Sequence, residues 1–502
     1  VMMLTLLLAA CSGGGGGAAE PAATEAPAAA DAPRAESPPS ASPSAAPEGG
    51  AIRQVEFREP EYVPFPLENN GPVTLRIASW SGVMSPEGEL AHAEEMRKKY
   101  PEYKSFSELY PWITVEPMGI PASYSDLTTI EALAGFTAAG TPADVVELFN
   151  IGPYLPDDLL YDLSPFVQED TYMKSLLDQM DRSLLGEYMD KGRLLGIPHG
   201  TIYGLAVFVN LDQLEKYGLE MPPNDWTWED FREMAIRATN PAAGDWGIAP
   251  LDGMEFIASV KPLTDGEADR MFFLNADLSK FEVDKPGVQE AIKWTQDLAL
   301  VDGVVPYGEE LARIVEAEQQ YMYTGRNYLF DLNYALFFDY NRIWNRDQNE
   351  SYMYRWDILP IPRGAKGQFT PSYYNSTAVT ANATYPREAY AWIAFKNNIY
   401  DMKETIANGF LPLVPDPALL ELTREAWKND PELADKNVEG FLETARTGVL
   451  WPGGRLLIWN DFKAIQFGSF RKLFSEGVPM EREFLPEMEA LNVRLAEEAA
   501  NR

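Results

Sequence analysis

Cys11 is the only cysteine, and His92 and His199 the only histidines, in a chain of 502 residues. One thiol closes no disulfide within the chain, and one Cys with two distant His supplies a zinc site poorly. Carboxylates are abundant, with 76 Asp and Glu against 41 Lys and Arg. Two of them suffice for glycoside hydrolysis, but in so acidic a chain such pairs arise everywhere by chance and none stands out. There is no GxSxG elbow, GxxxxGK[ST] phosphate loop, HExxH pair or GxGxxG turn, so the usual supports of acyl, phosphoryl, zinc and dinucleotide chemistry are missing. The formal charge of −35 repels nucleic acid and otherwise serves solubility. Trp80 with Ser81 and Asn150 with Tyr154 are the candidate ligand contacts, and the elements that carry them say why.

The elements that would hold those pairs are legible. PVTLRIASW, Pro72 to Trp80, alternates apolar and polar residues and predicts a strand. GELAHAEEMRKKY has helical spacing, ITVEPM predicts a second strand, and SDLTTIEALAGFTAAG predicts a helix closed by Gly140. TPADVVELFN predicts a third strand, with Asn150 and Tyr154 just beyond it. Strands alternating with helices indicate an α/β fold with a parallel sheet, whose ligands sit beyond the carboxyl ends of the strands. Thr227 with Asp230 makes a capping box for a helix over WTWEDFREMAIRAT, and Pro386 opens another. Trp228, Trp294 and Trp392 are expected to pack in the core. A body of this size exceeds what one core usually fills, so two domains are expected.

The N-terminal stretch is of another kind. Residues 1–10 form an apolar run ending Leu8-Ala9-Ala10 directly before Cys11, which resembles the end of a bacterial lipoprotein signal peptide. No Lys or Arg precedes the run, so the chain's start is expected to lie downstream of the true one. The resemblance implies lipid on Cys11, and two or more acyl chains anchor stably where one does not. Residues 11–59 are then a lipidated, disordered Gly/Ala/Pro/Ser linker, because their composition cannot bury enough apolar surface to order them. As a coil it would span roughly 35–40 Å. No later run of about 20 apolar residues could cross a bilayer.

A family resemblance covers most of the body. AAGTPADVVELF followed by LYDLSPFV, then GRLLGIPHGTIYGLAVFVNLDQLEKYGLEMPPNDWTWEDF, YMYTGRNYLF, WDILPIPRG, and STAVT with PREAYAWIAFKNNI stand in this order. Together they resemble the blocks of bacterial extracellular solute-binding proteins of family 1, the binding components of ABC sugar importers related to maltose-binding protein. The resemblance implies an α/β fold of periplasmic-binding-protein type II: two lobes, a ligand cleft between them, and several hinge crossings. Crossings are expected near Tyr203–Val209, near Tyr374–Val379 and after Pro412. Lobe one would take residues 60–204 plus 376–420, and lobe two 205–375 plus 421–502.

Sugars combine hydroxyls with apolar C–H faces, so their sites interleave polar side chains with aromatic rings. Matching the family's positions adds Tyr203 at the first crossing, Glu255 and Phe256 in WGIAPLDGMEF, and Asp331, Asn333 and Tyr334 after YLF. Tyr373, Tyr374 and Asn375 flank the second crossing, and Trp459 with Asp461 matches a last aromatic position. His199 is expected to be structural. The calcium loop DxNxNxDG of some larger relatives is not evident, and no metal, cofactor or catalytic residue is expected. The function implied is an extracytoplasmic, lipid-anchored, monomeric binding protein that captures a sugar or oligosaccharide and delivers it to a membrane permease. Rival readings are a polyamine, peptide or other small solute on the same fold, a sensing role beside a signalling kinase, and a surface lipoprotein enzyme acting on polysaccharide.

Overall fold

Alternation in VTLRIAS buries Val73, Leu75 and Ile77 and forms β1 (Val73–Ser79). β2 (Ile113–Gly119) and β3 (Val145–Leu148) flank it, both parallel to it. Helices Pro86–Lys99 and Asp126–Ala138 lie on the crossovers between these strands. Gly140, at φ +77°, follows the second helix in the left-handed conformation that closes it. The computed structural model describes residues 56–79, 83–120, 126–250, 252–318, 327–339, 354–451 and 454–501. Cys11, the expected signal, the linker through residue 55, and Trp80 and Ser81 lie outside the described residues.

A hairpin of β4 (Met189–Asp190) and β5 (Arg193–Leu194) precedes the long β6 (Ile197–Asn210). β7 (Trp246–Ile248), β8 (Tyr328–Tyr334), β9 (Trp356–Leu359), β10 (Thr370–Val379) and β11 (Gly448–Leu450) follow. The sheet runs β2-β1-β3-β10-β6-β8-β7, with β11 on β10 and β9 on β6. It is mixed rather than parallel, since β10 is antiparallel to both β3 and β6. The reason is topological: β6 carries the chain away from the first three strands and β10 brings it back.

Two large hydrophobic cores result. One gathers residues from β1–β3 and from the helices Pro386–Lys396 and Ile399–Ala407; the other surrounds β8 and the helices Asp252–Asp265 and Pro286–Leu300. β6 serves both: Ala206 and Phe208 face the first, Leu205, Val207 and Val209 the second, as the period of two in a strand requires. Its first half pairs with β10 and its second with β8 and β9. The reciprocal capping box at Thr227 and Asp230 starts the helix Trp228–Ala238. Trp228 is buried and donates to the Thr264 hydroxyl at 2.8 Å.

Two expected boundaries differ from the structure. Residues 56–59 already bind the body: the Phe57 amide donates to Asp416 at 2.9 Å and Lys403 pairs with Glu59 at 2.6 Å. Composition hid this because the ring that seats the segment, Tyr62 against Tyr172 at 5.0 Å, comes just after it. The division at 420/421 falls inside the helix Pro417–Asn429, and the first core continues through Trp427 and Phe441 to Leu450. The second core resumes at Leu456, so the last passage between cores follows β11.

Candidate functional site

The β6–β10 pairing carries an irregularity. Tyr373 stands opposite Tyr203 and Asn375 opposite His199, so three residues of β6 bulge against one of β10. Gly200, at φ +80°, supplies the left-handed conformation the bulge needs. Thr201 pins it by donating to the Leu411 carbonyl at 2.6 Å. Above the bulge the Tyr203 and Tyr373 rings stack, centroids 4.9 Å apart and planes 19° apart. Asn375 Nδ2 donates to the Tyr203 hydroxyl at 3.1 Å and so fixes both groups.

Rings from the second core and from just beyond β3 converge on this pair. Tyr373 meets Tyr334 and Trp451, each at 5.4 Å, and Phe149 at 6.3 Å. Phe256 meets Tyr334 at 5.6 Å and Trp451 at 6.3 Å, and Phe272 meets Trp451 at 5.5 Å. Phe272 holds a left-handed φ of +56°, a conformation disfavoured for a non-glycine residue by about 1–2 kcal/mol. Tyr203, Tyr334, Tyr373 and Trp451 are half-buried.

Polar groups lie beside the rings. Ser79 donates to Glu147 at 2.6 Å, and Glu147 Oε1 stands 3.8 Å from His199 Nε2. Burial pushes the His199 imidazolium down to about pKa 4 against the pull of Glu147, so the ring is neutral at neutral pH.

The expected residues divide. Tyr203, Phe256, Tyr334, Tyr373 and Asn375 come together. Tyr374 instead lies in the first core, because alternation along β10 turns it away from Tyr373; its burial raises the phenol pKa. Asn150 is buried just beyond β3, and Tyr154 is fully buried in the turn Gly152–Tyr154. Glu255 is buried and accepts from Arg471 Nε and from Gln466 Nε2 (2.9 Å), tying the helix Asp252–Asp265 to the segment after β11. Asp331 and Asn333 alternate with Tyr334 along β8 and stand opposite Phe208 and Ala206, which face the first core. Trp459 packs in the second core against Phe272 and Phe462, and Asp461 pairs with Arg494 at 2.7 Å on the surface. Trp451, Phe149 and Phe272 were not anticipated. The signal for Trp451 was WPGG, an aromatic before a turn.

Two α/β cores joined through shared strands, with rings of the second core meeting the β6–β10 crossing, define a two-lobed ligand-binding fold. Residues 111–435, more than half of the chain, match the bacterial extracellular solute-binding protein family, and the chain belongs to that family. Its fold is similar to that of an ABC substrate-binding protein of Listeria monocytogenes in complex with cycloalternan, with TM-score 0.62 and 17% identity over 86% of this chain and 99% of that one. It is similar also to the GacH receptor of Streptomyces glaucescens, solved unliganded and with acarbose, with TM-score 0.61 and 16% identity over 85% and 99%. A third is the cyclic alpha-maltosyl-1,6-maltose binding protein of Arthrobacter globiformis, with TM-score 0.60 and 18% identity over 85% and 100%. An uncharacterized lipoprotein encoded in the 5′ region of oleD in Streptomyces antibioticus is 25% identical over 225 residues, 44% of this chain. That match takes in 48% of the relative, so the chain spans about half its length. Among the described residues no helix is long and apolar enough to cross a membrane.

Proposed function

We propose that the protein captures a sugar or oligosaccharide between its lobes and delivers it to the membrane permease of an ABC importer. The observation that carries this reading is the ring cluster of Tyr203, Tyr373, Tyr334, Trp451 and Phe256, contributed by elements of both cores and bordered by Asn375, Glu147 and His199. Flat rings take the C–H faces of a sugar, and the amide, carboxylate and imidazole take its hydroxyls. A ligand touching both lobes favours the closed arrangement by its differential affinity for it. A micromolar dissociation constant, about −8 kcal/mol, is a fitting scale for a few stacks and hydrogen bonds after the cost of closure. The named sugar ligands of the similar structures support the substrate class.

The protein acts as a binder and not as an enzyme, as a monomer, held at the extracytoplasmic face by lipid on Cys11. The relative that is named a lipoprotein supports the anchor. A thermal-shift screen of the full chain against maltose, acarbose, cycloalternan and tagatose, with putrescine and short peptides alongside, tests the reading. A rise of several degrees with a glycan, abolished by Tyr373→Ala, is expected, with no new reducing ends after incubation. A rise with putrescine alone would overturn the substrate class.

A further inference from the structure

Three polar atoms at the β6–β10 crossing are buried without a hydrogen-bond partner: His199 Nε2, Asn375 Oδ1 and Thr377 Oγ1. Buried polar groups are almost always paired, so three on one stretch of the crossing call for a bound group or ordered water there. Their positions are related by the sheet. Asn375 and His199 are cross-strand partners, and Thr377 lies two residues along β10 on the face of Asn375, opposite Glu147 of β3. Cross-strand side chains on one face stand within reach of a common small group. The bulge at Gly200 re-aims His199 while Tyr203 stays under the Tyr373 ring, and bulges of this kind recur beside binding sites. With Asn375 Nδ2 donating to the Tyr203 hydroxyl, its Oδ1 is left to accept from another group.

We propose that His199, with Asn375 and Thr377, is the specificity-determining polar subsite of the cleft, hydrogen-bonding adjacent hydroxyls of the sugar residue that stacks on the Tyr203–Tyr373 platform. The assignment rests on the sugar-binding reading above and adds to it the residues that read the hydroxyls. The amide oxygen accepts without a formal charge, a neutral imidazole nitrogen donates or accepts according to its tautomer, and the threonine hydroxyl does both. A vicinal diol presents two donors at the matching scale, and an analogue lacking one hydroxyl leaves a site acceptor buried and unpaired, which is how such sites discriminate.

The test uses the full chain and the glycans maltose, acarbose, cycloalternan and tagatose, by calorimetry and by imidazole 15N–1H NMR. With only two histidines the spectrum is assigned by a single variant, His92→Gln, and His92, which contacts Asp401 at 3.3 Å on another part of the first core, serves as internal reference. The glycan that binds is expected to shift the His199 ring nitrogens and leave those of His92 in place. His199→Ala is expected to weaken that glycan about tenfold, with His199→Gln recovering part of the loss and both variants keeping the wild-type circular dichroism. A glycan that binds, and is lost on Tyr373→Ala, but leaves the His199 signals and the His199→Ala affinity unchanged would overturn this assignment while sparing the sugar reading. The same pattern is what ordered water alone in the subsite would give. If no glycan binds the wild-type chain, both fall.

Discussion

Glu187 and Arg270 join the two cores: Arg270 Nη1 lies 3.3 Å from Glu187 Oε1, with the side chains 15% and 10% exposed. Glu187 adjoins Tyr188 of the first core and Arg270 adjoins Met271 of the second. Removing one member leaves a buried charge unpaired, a loss on the order of 3 kcal/mol. Arg270→Ala is therefore expected to lower the unfolding midpoint, and in solution scattering the variant should be more extended than the wild type. Equal midpoints and equal radii of gyration would show that the pair carries no load between the lobes.

The last passage of the chain between the cores is fitted tightly. The Gly152 amide donates to the Gly454 carbonyl at 3.0 Å, and a Cβ at Gly152 would stand 2.3 Å from the Leu456 carbonyl oxygen. That obstacle is backbone and cannot rotate away. Gly152→Ala is expected to cost about 1–3 kcal/mol of stability and to weaken glycan binding, since Trp451 lies on the same passage. A stable variant with wild-type affinity would place the passage at liberty to shift.

Glu255 was expected at the ligand and is instead enclosed by Arg471 and Gln466. Glu255→Gln should lower stability by about 1–3 kcal/mol through a weakened charge-assisted bond, while shifting glycan affinity less than twofold. Trp451→Ala should do the reverse, losing about 10- to 100-fold in affinity, roughly 1–3 kcal/mol, with a small change in the unfolding midpoint. Calorimetry on the two variants separates structural from binding roles.

The sequence revealed the elements more readily than the cleft. Strong alternation announced β1, and the Thr227 capping box and Pro386 announced two helix starts where the structure has them. Asp144 in the TPAD block accepts from the Arg76 and Thr384 amides at 2.9 and 2.7 Å, binding β1 to the segment after β10. The ring cluster was legible only at the crossings, where Tyr203 and Tyr373 sit on paired strands. Trp451 escaped because β11 has three residues and no period to read, and the last aromatic was sought eight positions on, at Trp459, where helical packing draws the ring inward. Tyr374, expected beside the ligand together with Tyr373 and Asn375, faces the first core because adjacent residues of a strand point to opposite faces.

His199 gives a pH dependence with a definite sign. Burial depresses its pKa from 6.5 to about 4, while Glu147 opposes the shift and Lys396 adds to it. Between those values the unfolded chain binds a proton that the folded chain refuses, so stability falls as pH falls. The contribution is whole above about pH 6.5 and is lost progressively toward pH 4. Between neutral pH and about pH 4.5 it should amount to a few kcal/mol, on the order of 2–3. His199→Gln has nothing to titrate there, so the wild-type chain should lose that much more stability than the variant over the interval, measured by urea unfolding at each pH. Since other carboxylates titrate in both proteins alike, only the difference reports on His199. Parallel curves would mean that the imidazole takes its proton as easily folded as unfolded, and that the crossing holds it in contact with water.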